Sequence, residues 1–368
     1  SSDARASLTL RKAHATTTLD LSGTRQVLQY ASAPSDLNGC FCNVLNRETR
    51  LEVSLRNAVQ TGRTQLVYGL DLARGLARID SGNGAPQVHA FAQTAVYGQD
   101  DVALGTATAY AGLRAERDGA QGGALAPSAG FALPLDDGLR LRANAATGFR
   151  APNAVDLYYP GFSNSNLHPE RTVSTDLTLE DARVLGGLSL GYFTLAGNDL
   201  IAVNPNFDFT KPSGPNNLAI VNVQRASIAG LTLSVRTVAR RGITVGLGLT
   251  DLYRALDLTS VARRLPQRPV FSTNLTLEYA ATNPRATLAA LGAIANAMGA
   301  RGTVPQNGPL DPYLVAAPFA SVDGYVRLRV ARQALLTLRA RNLGNERYAA
   351  VAGYPTPGRA FVLELSTR

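Results

Sequence analysis

Apolar residues recur at every second position in segment after segment of this 368-residue chain. Leu51, Val53 and Leu55 alternate with Glu52, Ser54 and Arg56, and Leu139 and Leu141 with Arg140 and Arg142. Leu275, Leu277 and Tyr279 alternate with Asn274, Thr276 and Glu278, and Val326, Leu328 and Val330 with Arg327 and Arg329. Phe361, Leu363 and Leu365 close the chain in the same way. Successive side chains of a strand point to opposite faces, so each segment has one apolar and one mostly polar surface. No segment of similar length carries a capped apolar stripe of helical period. The chain is predicted to be all-β.

Two features choose among all-β architectures. Thr64–Asp80, Leu104–Glu116 and Ile220–Arg240 are longer than the ~5–6 residues usual for soluble strands and reach the ~9–11 that a tilted strand needs to cross a bilayer. Connections also alternate in length. Short turns are predicted at Leu135–Gly138, Arg240–Gly242, Thr282–Arg285 and Ala331–Ala334. Long polar loops lie between them at Ala151–Glu170, Gly197–Asn217, Ala255–Gln267, Gly299–Pro318 and Glu346–Gly358. Short turns on one side and long loops on the other mark a large antiparallel, up-and-down transmembrane β-barrel. Counting back from Phe361 gives about seventeen strands.

Composition agrees with a barrel and excludes other classes. Hydrophobic residues make up 45% and charged residues 17%, and no apolar run is long enough for a transmembrane helix; the nearest, Leu288–Met298, is interrupted by Asn296. The net charge of +9 is almost all arginine, Lys12 and Lys211 being the only lysines. The arginines are spread along the strands rather than gathered with aromatics, so no nucleic-acid partner is expected. Trp is absent, which leaves Tyr68, Tyr159, Tyr192, Tyr279 and Tyr325 as candidates for interfacial girdles. Cys40 and Cys42 are two residues apart, too few for a zinc site and suited at best to a strained disulfide, and His14, His89 and His168 are isolated. No phosphate-binding loop, dinucleotide fingerprint, His-Glu-x-x-His or Gly-x-Ser-x-Gly occurs. The chain is read as no enzyme, with no cofactor and no metal.

Three stretches carry a resemblance. The first is Gly148-Phe149-Arg150-Ala151-Pro152, followed by Asp156-Leu157-Tyr158-Tyr159-Pro160-Gly161. The second is Asn164-Ser165-Asn166-Leu167-His168-Pro169-Glu170, and the third Asn342-Leu343-Gly344-Asn345 with Tyr348 and Gly353-Tyr354-Pro355-Thr356-Pro357-Gly358-Arg359. In order and spacing they are similar to motifs of the TonB-dependent outer-membrane receptors, with Ser165 and His168 departing from the usual Pro and Lys. The resemblance covers Leu51 to the C-terminus. It implies that residues 1–368 are the barrel domain of such a receptor, truncated at the N-terminus and without its plug, with about 17 strands of a probable 22.

By this resemblance the protein would take up a scarce, bulky ligand, a ferric siderophore, cobalamin or a similar molecule, across the outer membrane of a Gram-negative-type bacterium. Its partners would be that ligand, outer-membrane lipid and a TonB-type coupling protein reached only through a missing N-terminal part, and the barrel would be a monomer. Tyr158, Tyr159, Phe162, Asn164 and Asn166 offer flat apolar faces and amides on one external loop and are the ligand-contact candidates; packing of the loop on itself is the other reading of them. Arg140, Arg142, Arg327 and Arg329 are expected to line the lumen. An alternative is a plugless diffusion channel in which these arginines give anion preference. A third is a soluble β-rich binding protein.

Overall fold

The computed structural model describes residues 1–30, 44–80, 85–119, 122–159, 163–204, 214, 217–258, 263–265, 268–303, 314–351 and 354–367. Cys40, Cys42 and Phe162 lie outside them. The chain divides into two compact units. The first, residues 1–132, 144–175 and 196–225, holds β1 (Ser2–Lys12), β2 (Ala15–Tyr30), β3 (Val44–Thr61), β4 (Thr64–Asp80), β5 (Gln87–Leu104), β6 (Ala107–Asp118) and most of β7 (Gly122–Asp136). It also takes the loop-side parts of β8 (Leu139–Arg150), β9 (Glu170–Asp181), β10 (Leu188–Val203) and β11 (Ile220–Arg236), with the short helix α1 (Ala154–Tyr158).

The second unit holds the turn-side parts of those strands, then β12 (Ile243–Asp257), β13 (Arg263–Arg264), β14 (Phe271–Ala280) and β15 (Leu288–Met298). A minor pair follows, β16 (Arg301–Thr303) with β17 (Leu314–Ala316). After β18 (Phe319–Ala331) and β19 (Ala334–Arg341) comes a second minor pair, β20 (Ala349–Val351) with β21 (Tyr354–Pro355), and then β22 (Ala360–Thr367). Among the described residues the main sheet has 18 strands, of which β13 is a two-residue piece beside the end of β12. Seventeen long strands remain, the number expected. Pairing is antiparallel between neighbours in sequence, from β1–β2 to β19–β22.

From β7 onward short and long connections alternate as predicted, whereas β6 ends at Asp118 and β7 begins at Gly122, a short connection on the long-loop side. Gly62-Arg63, Gly105-Thr106, Asp137-Gly138 and Arg332-Gln333 are two-residue turns, and Gly138 takes φ +87, which a side chain would resist. The Leu104–Glu116 segment proves to straddle one of these turns, since β5 ends at Leu104 and β6 begins at Ala107. β10 continues to Val203, past the expected strand end at Gly197, and the 151–170 loop contains α1, whose five residues are too few to show a helical stripe.

Register sorts the side chains onto two faces. Leu19, Leu55 and Leu70 stand opposite one another across β2, β3 and β4, as do Leu21, Val53 and Leu72. In the second unit Val245, Leu277, Ala293 and Leu338 share the corresponding face of β12, β14, β15 and β19. These apolar residues are not packed into a core: Leu51 is 66% exposed, Leu277 49% and Leu363 68%. So extended an apolar face needs an apolar environment, which a lipid-facing barrel wall has. Tyr68 and Tyr192 lie on it, exposed, and Tyr279 is on it by register. Tyr325 is on the other face, its hydroxyl donating to Glu278 Oε2 at 2.6 Å, and Tyr159 is in the loop.

The polar face has its own device. Four aromatic rings come close to a cross-strand glycine: Tyr97 to Gly69, Phe91 to Gly75, Phe193 to Gly230 and Tyr325 to Gly292. A Cβ added at Gly69 would stand 2.5 Å from the Tyr97 hydroxyl, and one at Gly292 2.5 Å from Tyr325 Cε1. Each missing Cβ leaves the ring room to lie on backbone instead of standing off the sheet.

Candidate functional site

The first unit encloses a cavity of about 610 Å³ on its polar face, at the long-loop end. β3, β5 and β6 supply its floor through alternate positions, Glu48 and Arg50, His89, Phe91 and Gln93, then Arg114, Glu116 and Asp118. Gln93 joins the three strands. Its Oε1 accepts from Arg50 Nη2 at 2.7 Å, and its Nε2 donates to Glu116 Oε1 at 3.0 Å and Asp118 Oδ2 at 3.1 Å. Arg114 donates to Glu116 at 2.8 Å and to Asp71 at 2.7 Å, with its guanidinium 5.6 Å from the Tyr97 ring. A floor of mutually bonded groups holds its shape before anything binds, which lowers the ordering cost of recognition.

The roof comes from the loop after β8. Asn153 caps α1 reciprocally: its Oδ1 accepts from the Asp156 amide at 2.9 Å while Asp156 Oδ2 accepts from the Asn153 amide at 3.1 Å. Leu157 packs with Leu167, Ala219 and Ile220, and Tyr159 packs on Ile79. Tyr158 stacks on His89 across the cavity, with ring centres 3.6 Å apart and planes 7° apart. Burial pushes the Tyr159 phenol above its ordinary pKa.

Both ends of the loop are tied by the motif residues. Arg150, from the first motif, donates through Nε and Nη2 to the two oxygens of Glu170, from the second, at 2.7 and 2.8 Å. Glu170 Oε1 also accepts from the Ile201 amide at 2.8 Å, and Asp156 lies 3.6 Å from Arg150. Asn222 holds the far side, accepting from the His168 amide and donating to the His168 and Asp199 carbonyls at 2.8, 2.8 and 2.7 Å. The third motif is tied in the same manner in the second unit. Asn342 accepts from the Glu346 amide at 2.9 Å, and Asn345 Oδ1 accepts from the Arg359 amide at 2.9 Å.

The loop candidates therefore have different positions. Tyr158 lines the cavity. Tyr159 and Asn164 are buried in the loop's own packing, Asn164 donating to the Ile220 carbonyl at 3.0 Å, and Asn166 is exposed. The arginine candidates occupy the second unit. Arg140 lines a cavity of about 490 Å³ with Glu180 and Arg236, and Arg142 donates to Glu180 at 3.3 Å. Arg327 sits 5.7 Å from the centre of the Tyr325 ring, and Arg329 donates to the Ala286 carbonyl at 2.9 Å. The floor residues escaped sequence reasoning, although alternation marks them as the polar positions of β3, β5 and β6.

Three guanidinium groups (Arg50, Arg114, Arg150) and three carboxylates (Glu48, Glu116, Asp118) border the larger cavity, with Phe91, Phe149 and Tyr158 as flat faces. The volume is in the range of small-molecule sites, and aromatic faces set among hydrogen-bonding groups suit a bulky amphipathic molecule. Among the described residues no group of acidic, His or Cys side chains is arranged to hold a metal ion. No helix of the described residues is long and apolar enough to cross a membrane, which says nothing about strands.

The family model described as "TonB dependent receptor-like, beta-barrel" matches residues 2–343. Over 120 residues the chain is 34% identical to the vitamin B12 transporter BtuB of Photobacterium profundum, a match covering 32% of this chain and 18% of that protein. The ferric enterobactin receptor PfeA of Pseudomonas aeruginosa (G324V variant) superposes with a TM-score of 0.74 at 17% identity, over 99% of this chain and 61% of that one. The siderophore receptor PirA of Acinetobacter baumannii gives 0.76 at 14% identity, over 99% and 61%. The chain thus spans about three fifths of the solved receptors it resembles.

Proposed function

Since this chain belongs to the TonB-dependent receptor β-barrel family, we propose that it forms the membrane wall and outer binding surface of a receptor for a scarce, bulky ligand. The exposed apolar face would meet the lipid of a Gram-negative outer membrane, and the polar face would line the lumen. The long-loop end, where short turns and long loops separate, would face outward. Cobalamin-like molecules and ferric chelates are the ligand classes that its relatives suggest, and a TonB-type protein would supply the energy. The wall itself performs no bond chemistry.

The observation that carries this reading is the cavity of about 610 Å³ under the stapled loop, on the polar face and at the long-loop end. Arg114 is bonded to Glu116, and Gln93 links Arg50 to Glu116 and Asp118, so these groups present a fixed pattern of donors and acceptors. Charge pairing also weakens the diffusion-channel alternative, because Arg142 is paired with Glu180.

The test is ligand binding by the full chain in detergent or nanodiscs, with cyanocobalamin and a ferric catecholate as probes and equilibrium dialysis as the readout. Saturable binding that weakens about tenfold or more in Tyr158→Ala and Arg50→Met is expected, a loss of ~1.4 kcal/mol or more. Binding of neither probe, together with steady anion-selective conductance in planar bilayers, would favour the channel instead.

A further inference from the structure

Three neighbouring hairpins of the second unit end in arginine with no acidic residue beside it. Thr237–Gly242, between β11 and β12, carries Arg240 and Arg241. Ala281–Thr287, between β14 and β15, carries Arg285, and the turn between β18 and β19 is Arg332-Gln333. The hairpins are adjacent in the sheet, β12 pairing with β14 and β15 with β18. No Asp or Glu occurs in any of the three turns. All four arginines are exposed, and every residue of these turns and of the strand ends flanking them is described. Among the described residues none of the four is ion-paired, and Glu278, on the turn-side half of β14, accepts from the Tyr325 hydroxyl. The turn between β9 and β10 shows the opposite arrangement. Its Arg183 is bonded to Asp181 at 3.1 Å and to Asp136, at the end of β7, at 2.8 Å.

The three turns are held in fixed relation to one another. Arg241 and Gly242 take φ +52 and +83 between two bonds of 3.0 Å that the Arg240 and Ile243 backbones exchange, as in a tight hairpin turn. The Ala280 amide donates to the Gly242 carbonyl at 2.8 Å, which ties the first turn to the second. Asn283 Oδ1 accepts from the Arg285 amide at 2.9 Å and shapes the second. Arg329 ties the third hairpin to it, its amide donating to the Thr287 carbonyl at 2.7 Å and its Nη1 to the Ala286 carbonyl at 2.9 Å. Hairpins repeat every two strands, so the arginine-bearing turns recur at intervals of about 10 Å. An extended polypeptide advances about 3.3 Å per residue, so carboxylates on every third residue match that interval. Like charges fixed at such a spacing favour a polyanion that neutralises them together. One lipid headgroup reaches one turn, whereas an extended acidic chain reaches all three.

We infer that Arg240, Arg241, Arg285 and Arg332 form a docking surface for an extended acidic segment of a polypeptide. The compartment in which it would act rests on the receptor reading above, by which short turns face the periplasm. The surface itself does not, and it lies at the opposite end of the strands from the long loops.

The full chain in detergent is titrated against a fluorescently labelled peptide with glutamate at every third position and Ser and Gly between, read by anisotropy. Saturable binding is expected, weakening as ionic strength rises from about 0.05 M to about 0.3 M. Arg240→Gln/Arg285→Gln/Arg332→Gln should weaken it about tenfold, a little over twofold for each exposed charge pair lost. Because the whole chain carries a net charge of +9, a second variant removes the same charge elsewhere. Arg25→Gln/Arg47→Gln/Arg78→Gln, in the first unit, should leave binding within about twofold. No binding by the unaltered chain overturns the proposal, and this arm needs no variant to fold. An equal fall in the two variants overturns it too, by assigning the binding to net charge. Co-flotation with phosphatidylglycerol vesicles that the turn variant loses, without peptide binding, assigns the turns to lipid and has the same result. Cyanocobalamin and ferric catecholate binding is scored on the same preparations. Its absence counts against the receptor reading and leaves this surface standing where the peptide binds.

Discussion

The Arg150–Glu170 pair is the joint on which the cavity roof turns, and Glu170→Gln tests it. Glu170 accepts three hydrogen bonds, two from Arg150 at 2.7 and 2.8 Å and one from the Ile201 amide at 2.8 Å. Its side chain is 14% exposed and that of Arg150 is 50% exposed. Charge-assisted bonds contribute ~1.5–3 kcal/mol when well buried, but the half-exposed guanidinium is screened by water, which brings the pair down to ~1–2 kcal/mol. Glutamine keeps an oxygen for the Ile201 amide and loses the charge, so about 1.4 kcal/mol should go, a tenfold rise in local opening. Hydrogen exchange reads this directly. The Leu157, Tyr159 and Asn164 amides, bonded to Asn153, Val155 and Asp156 carbonyls, should exchange about tenfold faster while those of the β18–β19 hairpin stay unchanged. Arg150→Met should have a similar effect, and the double variant should be less than the sum. Unchanged exchange in the loop, or an equal rise across the sheet, would show that the pair does not hold the roof.

Further outcomes follow from the same geometry. Leu277→Arg, on the exposed apolar face, should impair insertion by ~2–4 kcal/mol if the residue lies near the bilayer midplane, whereas Thr276→Arg on the polar face should insert normally, as read by heat-modifiable gel migration. Asn345→Ala should cost ~1 kcal/mol by removing the bond to the Arg359 amide, visible as faster proteolysis after residue 345. Gly186→Ala should destabilise the turn before β10, since Gly186 has φ +96 and an added Cβ would stand 2.5 Å from the Val238 amide nitrogen; thermal melts would show it. Tyr159 is an acid whose folded pKa is raised by burial. Its contribution to loop stability is therefore full below the ordinary tyrosine pKa of about 10 and is lost as pH rises through the higher folded value. Alkaline difference absorbance of Tyr159→Phe should lack one late-titrating phenol of the unaltered chain.

Much of the fold was legible because period-2 alternation needs no long-range information. Leu275, Leu277 and Tyr279 declare their shared face from spacing alone, and β4 has the predicted bounds, Thr64–Asp80. Asp137-Gly138 announced its turn through the residue types that turns require. The cavity was less legible. Gln93 meets Arg50, Glu116 and Asp118 only because the β3–β4, β4–β5 and β5–β6 registers align, and register is a property of pairs of strands. Arg47 and Arg50 show the same limit: three residues apart, they fall on opposite faces, Arg50 in the bonded floor and Arg47 on the exposed apolar face. In the loop, Tyr159 and Asn164 looked like Tyr158 and Asn166, and only the packing of Leu157, Leu167 and Ile220 separates scaffold from surface.

The rings close to glycine have a consequence for calibre. A tyrosine or phenylalanine standing off a barrel wall narrows the bore, while the same ring drawn close to a bare backbone leaves it open. At Gly292 a single methyl would meet only the Tyr325 ring and lever it off the wall, whereas at Gly69, Gly75 and Gly230 it would also meet a backbone carbonyl oxygen at 2.4–2.5 Å. A lineage could thus throttle or widen what the wall admits by exchanging one atom on a neighbouring strand, with every aromatic residue left in place.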